Sequence, residues 1–280
     1  MSILYICATP IGNLNDASFR LIEVLKAADF IIAEDTRTAA KLLSRFEIKK
    51  SPGSVVSYQD YSSPAKTGLI LDRIKQSQSA ALISESGIPA IQDPGYKIIK
   101  NCIENNIVLK VIPGPNAALS ALVLSGLPTD SFLFVGFLPK TDTKRKDKIF
   151  ELAYQPFTLI FYESPLRIIN LLQELLEVLG NRNACLAREI TKIYEESIRG
   201  TIMEVLKILQ TRPSIKGEIV LVVEGYKKQL IKDFEDSEIK KDYIKLVKQN
   251  IPQKDIFKII QSRYDIDRQK LYNITKISKK

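Results

Sequence analysis

The chain has 280 residues, 45% apolar and 26% charged, so it is long enough to bury the cores of about two domains. It contains no histidine, which excludes histidine general bases, histidine-activated nucleophiles and histidine-ligated metals. The net charge of +9 is concentrated after residue 225, where fifteen Lys and Arg stand against eight Asp and Glu, compared with twenty-six against twenty-four before it. Such a basic tail favours a polyanion partner such as nucleic acid, although a lysine-rich solvated surface explains it equally well.

The first part of the chain alternates short apolar runs with amphipathic segments. The runs that predict strands are 3–8, 30–33, 80–83 and 107–112. An apolar stripe from Leu21 to Ala28 has helical spacing, and Asp16 could cap that helix. Further helices are predicted from the segment after residue 33 to Leu43, and from about Tyr96 to Asn105. Strands buried on both faces and separated by helices indicate a mainly parallel sheet.

A second alternating set follows the Pro-Gly-Pro turn at 113–115. Its predicted strands are 132–137, 157–163, 183–188, 194–200 and 218–225. The last strands can pair as neighbours, with 194–200 at an edge, which predicts a mixed sheet. The polar, basic segment 140–148 is expected to be a loop that enters a helix.

From Ser237 onward three short amphipathic helices are predicted, with breaks at 250–255 and 264–267. The sequence therefore predicts two α/β domains, at 1–115 and 116–226, followed by a basic helical tail at 227–280. Three widely spaced cysteines without a Cys-x-x-Cys pair favour free thiols in a reducing cytoplasm. The absence of a long apolar run or a cleavable signal pattern predicts a cytoplasmic protein that does not enter a membrane.

Polar or small residues follow several predicted strands, at the edge where open α/β sheets bind ligands. The turn 8–13 contains Pro10, which removes a backbone donor, and no glycine-rich phosphate motif occurs anywhere. This pattern favours a ligand without phosphates, although a simple tight turn is the alternative. The segment 84–95 combines Ser84, Glu85 and Ser86 with a stiff loop that could hold a cation, or it is a connection capped by Asp93.

Two further strand ends have the same character. Asn116 and Ala117 open a helix whose first turn has free amides and room for a flat ring, or they serve only helix packing. Glu34, Asp35 and Arg37 could orient a substrate hydroxyl or form a helix-capping ion pair. Four such signals at strand ends of one chain predict a binding site more strongly than any one of them.

At this point the motifs resemble a known family. The segments ATPIGN, AEDTR, SESGIPAIQDPGY, PGPNAALSALVLSGLPTDSFLFVGFLP, FYESPLR, REITKIYEE, RGT and KGEIVLVVEG follow in order the pattern of the ribosomal RNA small subunit methyltransferase I family. That family lies within the tetrapyrrole methylase, or class III methyltransferase, superfamily. The resemblance covers about residues 3 to 225, and the tail is similar to the family's C-terminal extension.

The resemblance implies two α/β domains with S-adenosylmethionine in the cleft between them and a homodimer. It also implies 2′-O-methylation of a cytidine in the decoding region of 16S ribosomal RNA, within the 30S subunit, without a metal. The cofactor-binding residues that it implies are Pro10, Ser84, Glu85, Ser86, Gly87, Ile88, Pro89, Ile91, Asn116, Ala117, Tyr162, Ala187, Gly217, Glu218 and Ile219. The candidate substrate-binding residues are Arg37, Lys144, Arg145, Lys146 and Arg167.

The cofactor of such enzymes already carries an activated methyl group, so the protein mainly has to align the reactants. A carboxylate could assist deprotonation, and the candidate catalytic residues are Asp35, Glu34, Asp16 and Glu85. The family usually has Asp-Ala where this chain has Glu85-Ser86, and Leu166 stands where a histidine is typical. A His-Glu-His-Asn segment expected near 57–63 is absent, and Gln59 and Asp60 are the nearest polar substitutes.

Two other functions remain open on the sequence alone. One is a methyltransferase that acts on a tetrapyrrole or a similar small acid. The other is an RNA-binding homologue that has lost catalysis, since the missing family residues are mostly histidines.

Overall fold

The computed structural model describes residues 2–227, 234–249, 251–264 and 266–276. The chain divides into two compact units, Met1–Gly225 and Tyr226–Lys280. Within the predicted tail, residues 228–233, 250, 265 and 277–280 lie outside the described residues.

The first unit begins with a five-stranded parallel sheet in the order β3-β2-β4-β1-β5. Its strands are β1 (Ile3–Cys7), β2 (Phe30–Ala33), β3 (Val55–Ser57), β4 (Ser79–Ile83) and β5 (Val108–Ile112). The helices between them are α1 (Phe19–Ala27), α2 (Thr36–Arg45), α3 (Pro64–Gln76) and α4 (Tyr96–Glu104). One apolar cluster contains residues of α1 and α2 and another contains residues of α3 and α4, so helices cover both faces of the sheet.

A second five-stranded sheet follows, in the order β6-β7-β10-β8-β9. Its strands are β6 (Phe132–Phe137), β7 (Thr158–Glu163), β8 (Asn183–Arg188), β9 (Glu196–Thr201) and β10 (Ile219–Val223). Strands β6 and β7 are parallel and the other neighbours are antiparallel, so the predicted mixed sheet with an edge at 194–200 is confirmed.

Helices cover both faces of this second sheet as well. They are α5 (Ala117–Ser125), α6 (Asp142–Leu152), α7 (Ile168–Leu179) and α8 (Ile202–Gln210). Residues of α6, α7 and α8 share one apolar cluster, whereas Ala118, Ala121 and Leu122 of α5 pack on the opposite face with Ile11 from the first half. Helix α5 therefore belongs with the second sheet, although it directly follows β5.

The second unit contains α9 (Asp236–Lys248), α10 (Gln253–Arg263) and α11 (Arg268–Lys276). Their apolar faces share one small core that includes Ile239, Leu246, Ile260 and Leu271. The three amphipathic helices predicted for the tail are confirmed, and so is the α/β class of the chain.

Several local predictions were wrong. Ser18, and not Asp16, caps α1, because its hydroxyl accepts the Leu21 N–H at 3.1 Å while Asp16 lies in a preceding 3-10 turn. Gly95 occupies the cap position of α4, so Asp93 does not cap that helix. Most of segment 140–148 is helical, because α6 begins at Asp142. Strand β3 was missed, since three residues are too few to show a periodicity, and the helix α3 that follows it was also missed.

Arg145 is the basic residue of segment 140–148 that turns inward. Its Nε and Nη2 donate to Glu174 at 2.6 and 2.7 Å, and Nη2 also reaches Asp142 at 2.9 Å. Only 8% of the residue is exposed, and the hydrogen bonds to Glu174 raise its pKa further above the ordinary range. The guanidinium of Arg145 thus ties α6 to α7 and is not available to a substrate, which corrects the expectation for this residue.

None of the described helices has both the length and the apolar character needed to cross a membrane. The three cysteines are free and buried, as expected, and burial raises the pKa of Cys7 to about 12 and that of Cys102 to about 11.

The role of Arg145 can be tested by removing its partner. Glu174→Ala leaves the buried guanidinium with the exposed Asp142 and the Lys140 carbonyl as partners, and we expect a loss of about 2 kcal/mol in the free energy of unfolding by urea. The double variant Arg145→Met/Glu174→Leu replaces the pair by apolar groups and is expected to lose much less. Equal losses in the two variants would contradict a buried ion pair.

Candidate active site

A cavity of ≈ 380 Å³ in the first unit is lined by residues from both halves of that unit. Its lining residues are Ile11, Ser86, Gly87, Ile88, Ile91, Gln92, Asp93, Asn116, Ala117, Phe137, Tyr162, Glu163, Ser164, Pro165, Gly217, Glu218, Ile219 and Val220. Small-molecule sites commonly occupy about 300–1,000 Å³ and are mostly apolar with a few polar groups, and this cavity has both properties.

The loop that follows β4 is fixed to the turn that follows β1. Thr9 N donates to Gly87 O at 2.8 Å, and Gly87 N donates back to Thr9 O at 3.2 Å. The Ser84 hydroxyl also donates to Gly87 O at 3.0 Å. Gly87 adopts φ +80°, a left-handed conformation that a side chain would strain. These bonds hold the floor of the cavity in place before any ligand arrives.

The same loop continues through two non-glycine residues with positive φ, Ala90 (69°) and Gln92 (66°). Such conformations cost of order 1 kcal/mol each and persist where the surroundings impose them. The Gln92 side chain lies against Gly136, where a Cβ would come within 2.3 Å of its Nε2. Gly136 in β6 also has φ +69°, so a side chain there would be strained and would displace the Gln92 amide.

Aromatic rings form the wall on the second sheet. Tyr162 makes edge-to-face contacts with Phe134 at 5.1 Å and with Phe137 at 5.6 Å between ring centroids. Burial raises the pKa of Tyr162, and the nearby backbone N–H of Ala118 opposes that shift. Tyr162 of β7 therefore lies beside the first turn of α5, where Asn116 Oδ1 accepts the Leu119 N–H at 2.9 Å.

Side chains of Glu189 and Lys192 fix the part of the cavity wall that Gly217 and Glu218 form. Glu189 Oε1 accepts the Glu218 N–H at 2.9 Å, and Lys192 Nζ reaches Glu189 Oε1 at 2.9 Å and Glu218 Oε2 at 3.1 Å. The Glu189 side chain fills the place where a Gly217 Cβ would lie, at 2.4 Å. A glycine at 217 is needed for this close approach.

Asp93 is the ionisable group of the cavity with the most altered acidity. Burial, followed by the charges of Glu34 and Glu85, raises the pKa of Asp93 to about 7. Its carboxyl thus gains and loses a proton near neutral pH, a property typical of general bases.

Glu34 and Tyr58 lie after the neighbouring strands β2 and β3. Glu34 Oε2 and the Tyr58 hydroxyl are buried and have no hydrogen-bond partner within the part of the chain that the structure describes. Burial and then the Glu85 charge raise the pKa of Glu34. Among the described residues, no group of three or more His, Cys, Asp or Glu side chains could hold a metal ion.

Most of the residues expected to bind a cofactor lie at this cavity. Those that line it are Ser86, Gly87, Ile88, Ile91, Asn116, Ala117, Tyr162, Gly217, Glu218 and Ile219. The expected residues outside its lining are Pro10, Ser84, Glu85, Pro89 and Ala187. Of these, Ser84 and Ala187 are buried behind the wall, Ala187 paired with Val220 across the sheet, and Glu85 is exposed. Cofactor binding by all fifteen residues stays a prediction.

The candidate catalytic carboxylates do not form one group. Asp16 is exposed in its 3-10 turn, and Glu85 is exposed beyond the cavity lining. Asp35 caps α2 through the Arg37 N–H at 2.7 Å and also contacts the Arg37 guanidinium, which lowers the pKa of Asp35 to about 2. A carboxylate of such low basicity is a poor proton acceptor.

The candidate substrate-binding residues are also separated. Arg37 is paired with Asp35, and Lys144 and Lys146 are exposed on α6. Arg167 Nη2 donates to the buried Glu163 at 2.6 Å, while its Nη1 is buried and has no hydrogen-bond partner in the described ranges of the chain. Glu163 and Ser164 line the cavity, so Arg167 lies directly behind it.

The sequence did not single out eight of the lining residues: Ile11, Gln92, Asp93, Phe137, Glu163, Ser164, Pro165 and Val220. Four of them, Ile11, Gln92, Glu163 and Val220, are adjacent in sequence to residues that were predicted, and Ser164 and Pro165 lie two positions from one. Extending each motif by one or two positions would have found these six. Asp93 was noticed, but as a helix cap. Phe137 carried no signal, because it reads as an ordinary strand residue.

The acidity of Asp93 has a measurable effect on stability. Between pH 3.8 and about 7 the unfolded chain has lost this proton while the folded chain keeps it, so wild-type stability falls as pH rises through this window. Asp93→Asn removes the titration. Because solvent screens this partly exposed carboxyl, we expect the variant to be only about 1–3 kcal/mol more stable than wild type at pH 8 and little changed at pH 4, measured by urea unfolding. Asp16→Asn, an exposed control, should show no such pH dependence.

Known proteins resemble this chain in sequence pattern and in fold. The family model described as Tetrapyrrole (Corrin/Porphyrin) Methylases matches residues 3–206. A cobalt precorrin-4 methyltransferase structure has a TM-score of 0.57 at 16% identity and covers 79% of this chain and 94% of its own. The uroporphyrin-III C-methyltransferase of Thermus thermophilus, in complex with S-adenosylhomocysteine, has a TM-score of 0.53 at 18% identity, with 79% and 97% covered. At these identities the likeness concerns the fold.

Curated relatives are more similar in sequence. The ribosomal RNA small subunit methyltransferase I of Halalkalibacterium halodurans is 46% identical over 222 residues, which cover 79% of this chain and 75% of that protein. The protein of the same name from Haemophilus influenzae is 40% identical over 272 residues, with 96% and 95% covered. The chain therefore belongs to the tetrapyrrole methylases and, among them, to the ribosomal RNA small subunit methyltransferase I family.

Proposed function

We propose that the protein transfers a methyl group from S-adenosylmethionine to the ribose 2′-oxygen of a cytidine in the decoding region of 16S ribosomal RNA. The observation that carries this proposal is the cavity between the two sheets, which joins a mostly apolar lining to one carboxylate of near-neutral pKa. The relatives named above support the choice of ribosomal RNA over a small-molecule substrate.

The residues of the cavity fit such a cofactor. Ile88, Ala117 and Ile219 give apolar surface for a flat base, and the stiff loop at Gly87 presents backbone next to it. The Asp93 carboxylate is suited to a cationic group, whose charge would favour its ionised form. When bound, S-adenosylmethionine supplies a methyl group that is already activated by the positive sulfur.

We assign the proton-accepting role to Asp93, ahead of the four carboxylates chosen from the sequence. Asp93 lines the cavity and has the pKa that suits a base at neutral pH, whereas Asp35 is held ionised by Arg37. Burial and the negative charge of Glu34 would keep the pKa of Asp93 high until a cationic ligand enters the cavity. Arg167 behind the cavity remains a proposed contact to the RNA backbone.

The proposal includes a cytoplasmic homodimer that acts on the 30S subunit. Leu119 and Val123 lie one turn apart on α5 and are 47% and 74% exposed, which leaves apolar surface for a second copy of the chain. A separate readout, the mass in solution, tests this part.

Blocking the cavity tests the cofactor site. Ala117→Leu places a larger side chain in the lining, and we expect the affinity for S-adenosylhomocysteine, measured by calorimetry, to fall more than tenfold. Ala40→Leu, on the exposed side of α2, is the matched control and should bind as wild type does. Unchanged binding by Ala117→Leu would place the cofactor elsewhere.

The reaction is tested by mapping 2′-O-methylation after incubation of hypomethylated 30S subunits with enzyme and labelled cofactor. We expect one modified cytidine in the decoding region, with kcat/KM rising from pH 6 to pH 8 as Asp93 loses its proton. Asp93→Asn should lower kcat/KM by about 10²–10⁴-fold and remove that rise. Methylation of a tetrapyrrole precursor without methylation of RNA would favour the small-molecule alternative, and binding of RNA without any transfer would favour a lapsed enzyme.

A further inference from the structure

The second unit contains a groove of its own, between α10 and α11. Its volume is ≈ 730 Å³, and the residues that line it are Gln253, Lys254, Phe257, Arg268, Gln269 and Tyr272. Among the described residues, the lining thus combines two cations, two amides and two aromatic rings, without a carboxylate.

Helix α11 explains why the groove is basic. Leu271, Ile274 and Thr275 are its buried residues and face the small core of the unit. The exposed residues of the helix are Arg268, Gln269, Lys270, Tyr272, Asn273 and Lys276. The helix has no acidic residue, so its outer face carries three positive charges that no carboxylate of the same helix offsets.

Two acids near the groove, Asp255 and Asp267, make local contacts. Asp255 pairs with Lys258 at 3.5 Å, and Asp267 Oδ1 accepts the Lys270 N–H at 2.8 Å. Within the described part of the chain, no ion pair involves Lys254 or Arg268. Both cations of the groove are therefore available to an anionic ligand.

The aromatic residues complete the groove. Phe257 is 8% exposed and forms part of the core beneath it, whereas Tyr272 is 45% exposed at its side. The Lys276 ammonium lies 5.7 Å from the centre of the Tyr272 ring. An exposed aromatic ring among cations is the arrangement on which proteins stack the bases of single-stranded nucleic acids.

We propose that this groove binds an unpaired segment of RNA, with a base stacked on Tyr272 and phosphates held by Lys254 and Arg268. The amides of Gln253 and Gln269 can hydrogen-bond to base edges. Binding of an acidic protein segment would not require these amides. This inference rests on the proposed RNA substrate and names the form in which the tail engages it. Unlike a general attraction between a basic tail and RNA, this mode of binding depends on one ring, Tyr272, and on two cations, Lys254 and Arg268.

The test uses the full chain and a fluorescein-labelled, single-stranded RNA of about twelve cytidines and uridines, with affinity measured by fluorescence anisotropy. We expect Tyr272→Leu to weaken binding about tenfold and Tyr272→Phe to bind within about twofold of wild type, because phenylalanine keeps the stacking surface. Arg268→Gln should weaken binding several-fold and reduce the slope of log K against log salt by about 0.7. Lys245→Gln, an exposed lysine on α9 outside the groove, removes the same charge and should have little effect.

Equal affinities for the two Tyr272 variants, equal effects of Arg268→Gln and Lys245→Gln, or no measurable binding by wild type would overturn the proposal. So would competition by polyglutamate as effective as that by unlabelled single strand, which would indicate a protein partner. Groove variants should keep wild-type affinity for S-adenosylhomocysteine. If wild type methylates 30S subunits but the groove variants bind RNA normally, only the groove proposal fails. If the variants lose RNA affinity but wild type transfers no methyl group, only the proposed function fails.

Discussion

The reciprocal hydrogen bonds between Thr9 and Gly87 are the constraint on which the cavity depends. They join the ends of β1 and β4, adjacent parallel strands, and so fix the loop that carries Ser86, Ile88 and Asp93. The conformation of Gly87 permits that pairing, and the strained residues that follow carry the loop toward Gly136 on the second sheet. Ligand binding at such a preorganised loop costs little additional ordering.

The charged side chains near the cavity and on helices α6 and α7 differ in whether a group of opposite charge neutralises them. Arg145 and Glu174 neutralise each other between α6 and α7, and Arg167 is partly neutralised by Glu163 behind the cavity. Asp93 has only acidic neighbours among the groups that shift its pKa by charge, so burial and repulsion both favour its neutral form. The same residue is thereby a cost to stability above neutral pH and a suitable acceptor for a proton.

Much of the fold could be predicted from the sequence because its strands are continuous apolar runs with clear ends. The runs at 30–33 and 132–137 coincide with β2 and β6, and the mixed character of the second sheet followed from its closely spaced strands. Strand β3 could not be predicted, since its three residues gain their extended conformation from pairing with β2. The cap of α1 was misassigned because Asp16 and Ser18 are both suitable caps, and only the backbone path distinguishes them.

The sequence by itself determined the residue types of the site: a chain without histidine, a proline-stiffened turn at Pro10, and small residues at the start of α5. It also indicated the family through the order of its motifs. Only the tertiary structure decided which carboxylate enters the cavity and which basic residues are free to bind a ligand. The acidity of Asp93 arises first from burial and then from the charge of Glu34, and Arg145 is neutralised by Glu174. Both partners are distant in sequence, and burial and charge act through space.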